Sequence, residues 1–229
     1  MRQPRGLRSL FVGVIVVALA AGASAAGDAG NVNAALKKVT KATKGLRGIV
    51  AEVEYAEIVR KRSIRGMGTL YVHMDGWIRA EIGGDSPRVM LLTPQYLYEH
   101  RISEKTVEVY NVTSNPHRLA QYALLGFSPA GSAMKKLYTV ELVRNATLDE
   151  REVLSFLLTP KSKEVAKAIA RIQLWVDPET GLPLKQQIVH ATAETDLEIR
   201  YLSVSERGEM ENSLFAPKWP EGTKTVRMD

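Results

Sequence analysis

The chain has 229 residues, no cysteine, and 31 basic against 25 acidic side chains, for a formal net charge of +6. No block of lysine and arginine is long enough to form a nucleic-acid stripe, so nucleic acid is excluded as a partner. The lack of cysteine excludes a disulfide framework and a lipid attached through cysteine, and a chain of this length can bury a core without either.

Arg2, Arg5 and Arg8 precede an apolar run, Leu10 to Ala21, and the small-x-small triplet Ala23-Ser24-Ala25. The run is well short of the roughly 20 apolar residues that span a bilayer. Residues 1–25 therefore read as a cleavable export signal. Residues 26–229 read as one domain, about the size of an ordinary single domain. Without the three arginines of the signal its net charge is +3. The expected product is a soluble, unanchored monomer in a periplasm-type compartment.

Along the mature chain the first pattern is helical. Val32, Leu36 and Val39 share one face of Val32–Lys44, with Asn31 or Asn33 as cap and Gly45 as stop. The period then changes to two. In Leu46–Val59, Ile49, Ala51, Val53 and Tyr55 alternate with Glu52 and Glu54. In Ile64–Met74, Leu70, Val72 and Met74 alternate with Thr69, Tyr71 and His73, and Gly66 and Gly68 fall on the apolar face, where they relieve crowding or permit bending. Short strands follow at Trp77–Ile82, Arg88–Leu92, Tyr96–His100 and Thr106–Tyr110. Asn115-Pro116 and Ser128-Pro129 each place a cap before a proline, which predicts one or two short helices over 115–137. Leu119, Tyr122, Phe127 and Met134 are their apolar residues. Strands resume at Tyr138–Arg144, Val153–Thr159, Ala168–Asp177, Leu184–Thr192 and Leu197–Val204, and 213–226 reads as extended. Turn-separated strands at this spacing predict a mainly β, antiparallel sandwich or barrel with inserted helices.

Chemistry-bearing constellations are sparse. The four histidines are scattered, and none stands four residues from another metal ligand, so no metal site and no cofactor is expected. Ser132-Ala133-Met134-Lys135 matches S-x-x-K, but neither S-D-N nor K-T-G follows. Glu52 and Glu54 lie on the polar side of a strand, where a solvated face outweighs a glycosidase pair. The chain is expected not to be an enzyme. An apolar sheet face with a helix of its own apolar stripe makes either a filled core or a ligand cavity, and periodicity leaves both open. Methionines such as Met67, Met74, Met90 and Met134 suit an adaptable pocket.

The order of pieces resembles the LolA family of periplasmic lipoprotein carriers. GMGTLYVHMDGWIRAE at 66–81 is similar to that family's G-x-G-x-L-x-V hairpin and aromatic/Arg strand. RVMLLTPQYLYEH at 88–100, LLTPK at 157–161, IQLWVDPETGLPLKQ at 172–186 and LFAPKWPEGTK at 214–224 resemble its later strands and closing F-x-P segment. The resemblance implies an incomplete antiparallel β-barrel covered by an α-helical lid, with a cavity for acyl chains. It implies lipid-modified proteins or another acylated ligand as cargo, an inner-membrane ABC-type release complex as donor and an outer-membrane receptor as acceptor. The expected cavity residues are Leu70, Val72, Met74, Trp77, Leu91 and Tyr98 from the sheet, with Leu119, Tyr122, Phe127 and Met134 from the lid. The family's lid-holding arginine has Met74-Asp75 at its place here, and Arg79 in the next strand is the expected substitute. The alternative within the same fold is an envelope lipid or lipoprotein sensor.

Overall fold

The computed structural model describes residues 29–59, 62–114, 130–191 and 195–228. The first helix, α1 (Ala29–Ala42), turns Val32, Ala35 and Leu36 into the core and ends before Gly45, which adopts the left-handed φ of 95°. Six strands follow as a meander: β1 (Gly48–Val59), β2 (Arg62–His73), β3 (Trp77–Ile82), β4 (Arg88–Leu92), β5 (Tyr96–Arg101) and β6 (Thr106–Asn111). Helix α2 (Ala130–Leu137) leads into β7 (Tyr138–Val143), and a small hairpin pairs β8 (Thr147–Leu148) with β9 (Arg151–Glu152). The chain continues through β10 (Leu154–Pro160), α3 (Lys163–Ala168), β11 (Ile169–Val176), β12 (Pro183–His190) and β13 (Thr195–Arg207). A 3-10 turn at Asn212–Phe215 and β14 (Lys224–Met228) complete it.

Twelve strands form one sheet in the order β14-β6-β5-β4-β3-β2-β1-β13-β12-β11-β10-β7. All pairings are antiparallel except that of β14 with β6. Strands β14 and β7 are the two edges and do not pair with each other, so the sheet is a barrel left open. A single apolar cluster joins residues of β2, such as Leu70, to residues of β10 and β11, such as Phe156 and Ile172. Strands that far apart in sheet order meet only if the sheet curls, which makes this face the concave one.

Two glycines of β2 let the neighbouring chain come close. A Cβ at Gly66 would stand 2.1 Å from the Gly83 carbonyl oxygen, and one at Gly68 would stand 2.2 Å from that of Glu81. No side chain fits there, so both glycines permit β3 to ride over β2. A bulge between Glu52 and Val53 shifts the register of β1 against β13 and leaves Leu202 unpaired and exposed.

Three local elements depart from the sequence expectation. Helix α3 interrupts what alternation alone left as a connection; Ser162 caps it, its Oγ accepting the Val165 N–H at 3.4 Å. The β8–β9 hairpin turns through Asp149 and Glu150, both at positive φ. Residues 213–226 are not simply extended: they hold the 3-10 turn and the start of the parallel strand β14.

Candidate functional site

Cross-strand register builds the concave face in rows. One row runs Leu142, Phe156, Leu174, Gln186, Ile199, Tyr55 and Gly66 across β7, β10, β11, β12, β13, β1 and β2. The adjacent row runs Val140, Leu158, Ile172, Ile188, Leu197, Glu57 and Ile64. Leu70, Val72, Ile78, Ala80, Met90, Leu92 and Leu97 carry the same face over the other half of the sheet. Among the described residues, the helices bring few apolar side chains to this expanse: Val32, Ala35, Leu36 and Val39 from α1, Met134 from α2, and Val165 and Ala168 from α3. Helices α1 and α2 touch each other, with Lys135 Nζ donating to Asn33 Oδ1.

Leu70 and Val72 are buried on this face, and Met74 and Met134 pack partly buried against it. Leu119, Tyr122 and Phe127 lie outside the described residues. Trp77, Leu91 and Tyr98 are corrections. Trp77 pairs with His73, and Leu91 pairs with Arg79 and Tyr98, so all three point to the convex side. The cause is a second apolar layer there. Phe215 is buried, with its ring 6.2 Å from that of His73 and 6.4 Å from that of Trp77. Trp219 packs on Tyr98 and on His100, 5.2 Å between ring centroids in the latter pair. Leu91, Val107, Val109 and Phe215 are buried without belonging to the concave core. Residues 212–220 thus strap the convex face of β2–β6.

Arg79 is a correction of the same kind. Its Nε contacts Glu81 Oε1 at 2.6 Å, and its Nη1 donates to the Leu214 carbonyl at 3.3 Å. It fastens the C-terminal 3-10 turn on the convex side and holds no described lid residue.

The concave face is polar at one end, where β1 finishes and β4 begins. Arg88 Nη2 donates to Tyr55 Oη at 2.8 Å and to Glu57 Oε2 at 3.1 Å, and its guanidinium lies 4.7 Å from the Tyr55 ring centre. Tyr110 Oη donates to Glu108 Oε2 at 2.6 Å, and Arg101 reaches the same oxygen at 3.4 Å. Burial, opposed by Arg88, pushes the Tyr55 phenol well above its ordinary range. Burial also raises Tyr138, at the start of β7, to about 12. Both phenols stay neutral donors at any physiological pH.

The expected cavity residues leave out the β10–β13 half of the concave face, including Phe156, Leu158, Ile172, Leu174, Ile188 and Ile199. Its signal was present in the alternation of Ile172, Leu174 and Val176. Open clefts among the described residues lie elsewhere. One of about 660 Å³ sits between the convex sheet and the strap, lined by Tyr71, Arg79, Arg207, Met210, Glu211 and Lys218 among others. One of about 600 Å³ lies beside the β8–β9 hairpin, with Asp149, Arg151, Glu152 and Asp177 in its walls. Both mix charged with apolar groups. Among the described residues no group of His, Asp and Glu could hold a metal ion.

The sequence matches no protein-family model and no curated protein. Solved structures do match. An uncharacterized conserved protein from Thermus thermophilus superposes with a TM-score of 0.55 at 11% identity, over 86% of this chain and 99% of its own. A putative outer membrane lipoprotein-sorting protein domain from Vibrio parahaemolyticus gives 0.48 at 12% identity, over 81% and 97%. A LolA superfamily protein from Nitrosomonas europaea gives 0.45 at 11% identity, over 81% and 97%. At these identities the likeness is one of fold: a large, curved, unclosed antiparallel sheet with a few helices.

Proposed function

We propose that this LolA-like open barrel is a non-enzymatic envelope carrier that holds the acyl chains of a lipid-modified protein, or of a related amphiphile, against its concave face. The observation that carries the reading is the face itself. It is mainly apolar from β7 round to β5, with Gln186, Glu57, Arg88 and Glu99 as its polar members, its two edge strands do not pair with each other, and the described helices supply a handful of side chains to cover it. Export to a periplasm-type compartment, movement of cargo from the inner to the outer membrane, an ATP-driven donor complex and an outer-membrane acceptor belong to the same proposal.

The physical need is clear. Each methylene kept from water is worth about 0.8 kcal/mol, so an acyl chain of about fifteen carbons costs about 12 kcal/mol to expose. A hollow that takes the chain offsets most of that cost, and a cover of marginal stability sets the release step. The polar end of the concave face, with Arg88 and Arg101, gives the part of such cargo that lies beyond the acyl chain a way out to water.

The test is native mass spectrometry of the protein purified from envelope extract, paired with extraction of a lipoprotein from membranes. A copurifying acylated species and extraction into the soluble fraction are expected. A protein that is reproducibly empty and leaves every lipoprotein in the membrane refutes the carrier. Retention of bound lipid without extraction, together with altered envelope stress signalling on depletion, moves the reading to a sensor.

A further inference from the structure

Gln186 is the one residue of the central concave row whose side chain is at odds with its place. It is 0% exposed, and neither its Nε2 nor its Oε1 has a hydrogen-bond partner. Its cross-strand neighbours are Leu174 on β11 and Ile199 on β13, and Ile188 follows it on the same strand face. The row continues to Phe156 on one side and Tyr55 on the other. A primary amide carries two donors and an acceptor, and removing them from water without partners is costly. A Leu or Met of similar size would fill the position without that cost. Polar atoms left open in a native interior call for a functional or solvent explanation.

The other polar side chains near this face each make at least one side-chain bond, although the Nε atom of Arg88 makes none. Tyr55, Arg88 and Glu57 bond one another at the open end, and Glu108 accepts from Tyr110. On the far face of β12, Lys185 is paired with Glu198 at 2.9 Å. The orphan amide is therefore set apart from the charged end, among apolar side chains, on the face that the carrier reading assigns to cargo.

We infer that Gln186 is a polar anchor within the hollow, whose amide binds the head of an acyl chain bearing an acceptor and a donor on neighbouring atoms, as a carboxylic acid or a carboxamide does. Nε2 donates to the carbonyl oxygen of the ligand, and Oε1 accepts from its O–H or N–H. An ester satisfies only the first of these bonds, and a hydrocarbon satisfies neither. The inference rests on the carrier reading and refines it: the hollow selects by head group as well as by chain.

The test compares four probes of equal chain length, palmitic acid, palmitamide, methyl palmitate and hexadecane, on the full chain and on Gln186→Met. Met keeps the length of the side chain and removes both polar atoms. The readout is the affinity ratio of each polar probe to hexadecane, so that the solvation of each head group cancels between the two proteins. Palmitamide, neutral at every pH, is expected to lose about tenfold of its ratio in Gln186→Met, the equivalent of about 1.4 kcal/mol. Palmitic acid is expected to follow it and methyl palmitate to lose less, while hexadecane binds the variant as well or better. Ratios that are the same in both proteins mean that the amide is satisfied by water, and they overturn the anchor while leaving the carrier standing. Failure of all four probes to bind either protein overturns both.

Discussion

Phe215→Ala tests whether the strap on the convex face is an integral layer. Phe215 is 4% exposed and is wedged between His73 and Trp77 from the ends of β2 and β3. Truncating a buried Phe to Ala costs about 3–5 kcal/mol through lost burial and the cavity left behind. The strap is one layer of chain held at Leu214 by Arg79, and it can settle towards the sheet, so the low end, about 3 kcal/mol, is expected. For a domain of about 200 residues each kcal/mol moves Tm by about 2–4 °C, giving a fall of about 6–12 °C. Thermal unfolding by circular dichroism measures the fall, and urea unfolding checks that the m-value is unchanged. Binding of an acyl probe should be unaffected, because Phe215 lies on the opposite face from the hollow. A loss under about 1 kcal/mol would refute the reasoning, since it would mean that the strap is an ornament on a sheet whose convex face needs no cover.

Three further outcomes are expected. Gly68→Val should give no soluble folded protein, because its first side-chain atom would collide with the Glu81 carbonyl, whereas Gly222→Ala, with open space around it, should fold with a modest loss from its φ of 80°. Burial against Trp219 holds the His100 imidazole below its ordinary pKa, so the unfolded chain takes up the proton first: stability is full above about pH 6.5 and falls as the pH drops. His100→Gln should flatten the decline of Tm between about pH 7 and pH 5, and an unchanged slope would dismiss that account. Trp77, Trp175 and Trp219 all stand on the convex side, so a brominated fatty acid in the hollow should leave tryptophan fluorescence nearly intact; strong quenching would place the ligand in the convex cleft instead.

Strand positions were legible because most of this sheet alternates. Trp77–Ile82 and Arg88–Leu92 coincide with β3 and β4, and the helix predicted at Val32–Lys44 is α1 displaced by two or three residues. Faces were legible only where one side is wet. In β2, Leu70 and Val72 alternate with partly exposed neighbours, and the inward side is plain. In β4, Met90, Leu91 and Leu92 are all buried, since the core lies on one side and the strap on the other. A strand covered on both faces reads as a continuous apolar run, and period alone cannot say which residue faces inward. Leu91 falls on the wrong face for that reason; Trp77 and Tyr98, expected in the cavity, and Arg79, expected at the lid, stand in strands that do alternate, and the cover over all four comes from residues more than a hundred positions later. Gln186 was hidden for the opposite reason: a glutamine at an inward position looks like any solvent-facing residue until its neighbours are known.

The strap also divides one continuous sheet into unequal parts. Strands β4 and β6 carry buried side chains on both faces, and Phe215 and Trp219 cover parts of β3 and β5, whereas β11–β13 meet water along their convex side, through partly exposed Gln173, Trp175, Lys185, Gln187 and Glu198. Backbone amides open most readily where few apolar contacts must break. Hydrogen exchange should therefore fall into two cooperative units within a single hydrogen-bonded ladder, slow on the strapped side and fast from β13 towards the free edge at β7. A barrel with one stiff wall and one yielding wall can widen without unfolding, and the direction in which it gives is set by a short stretch of chain that never touches the hollow.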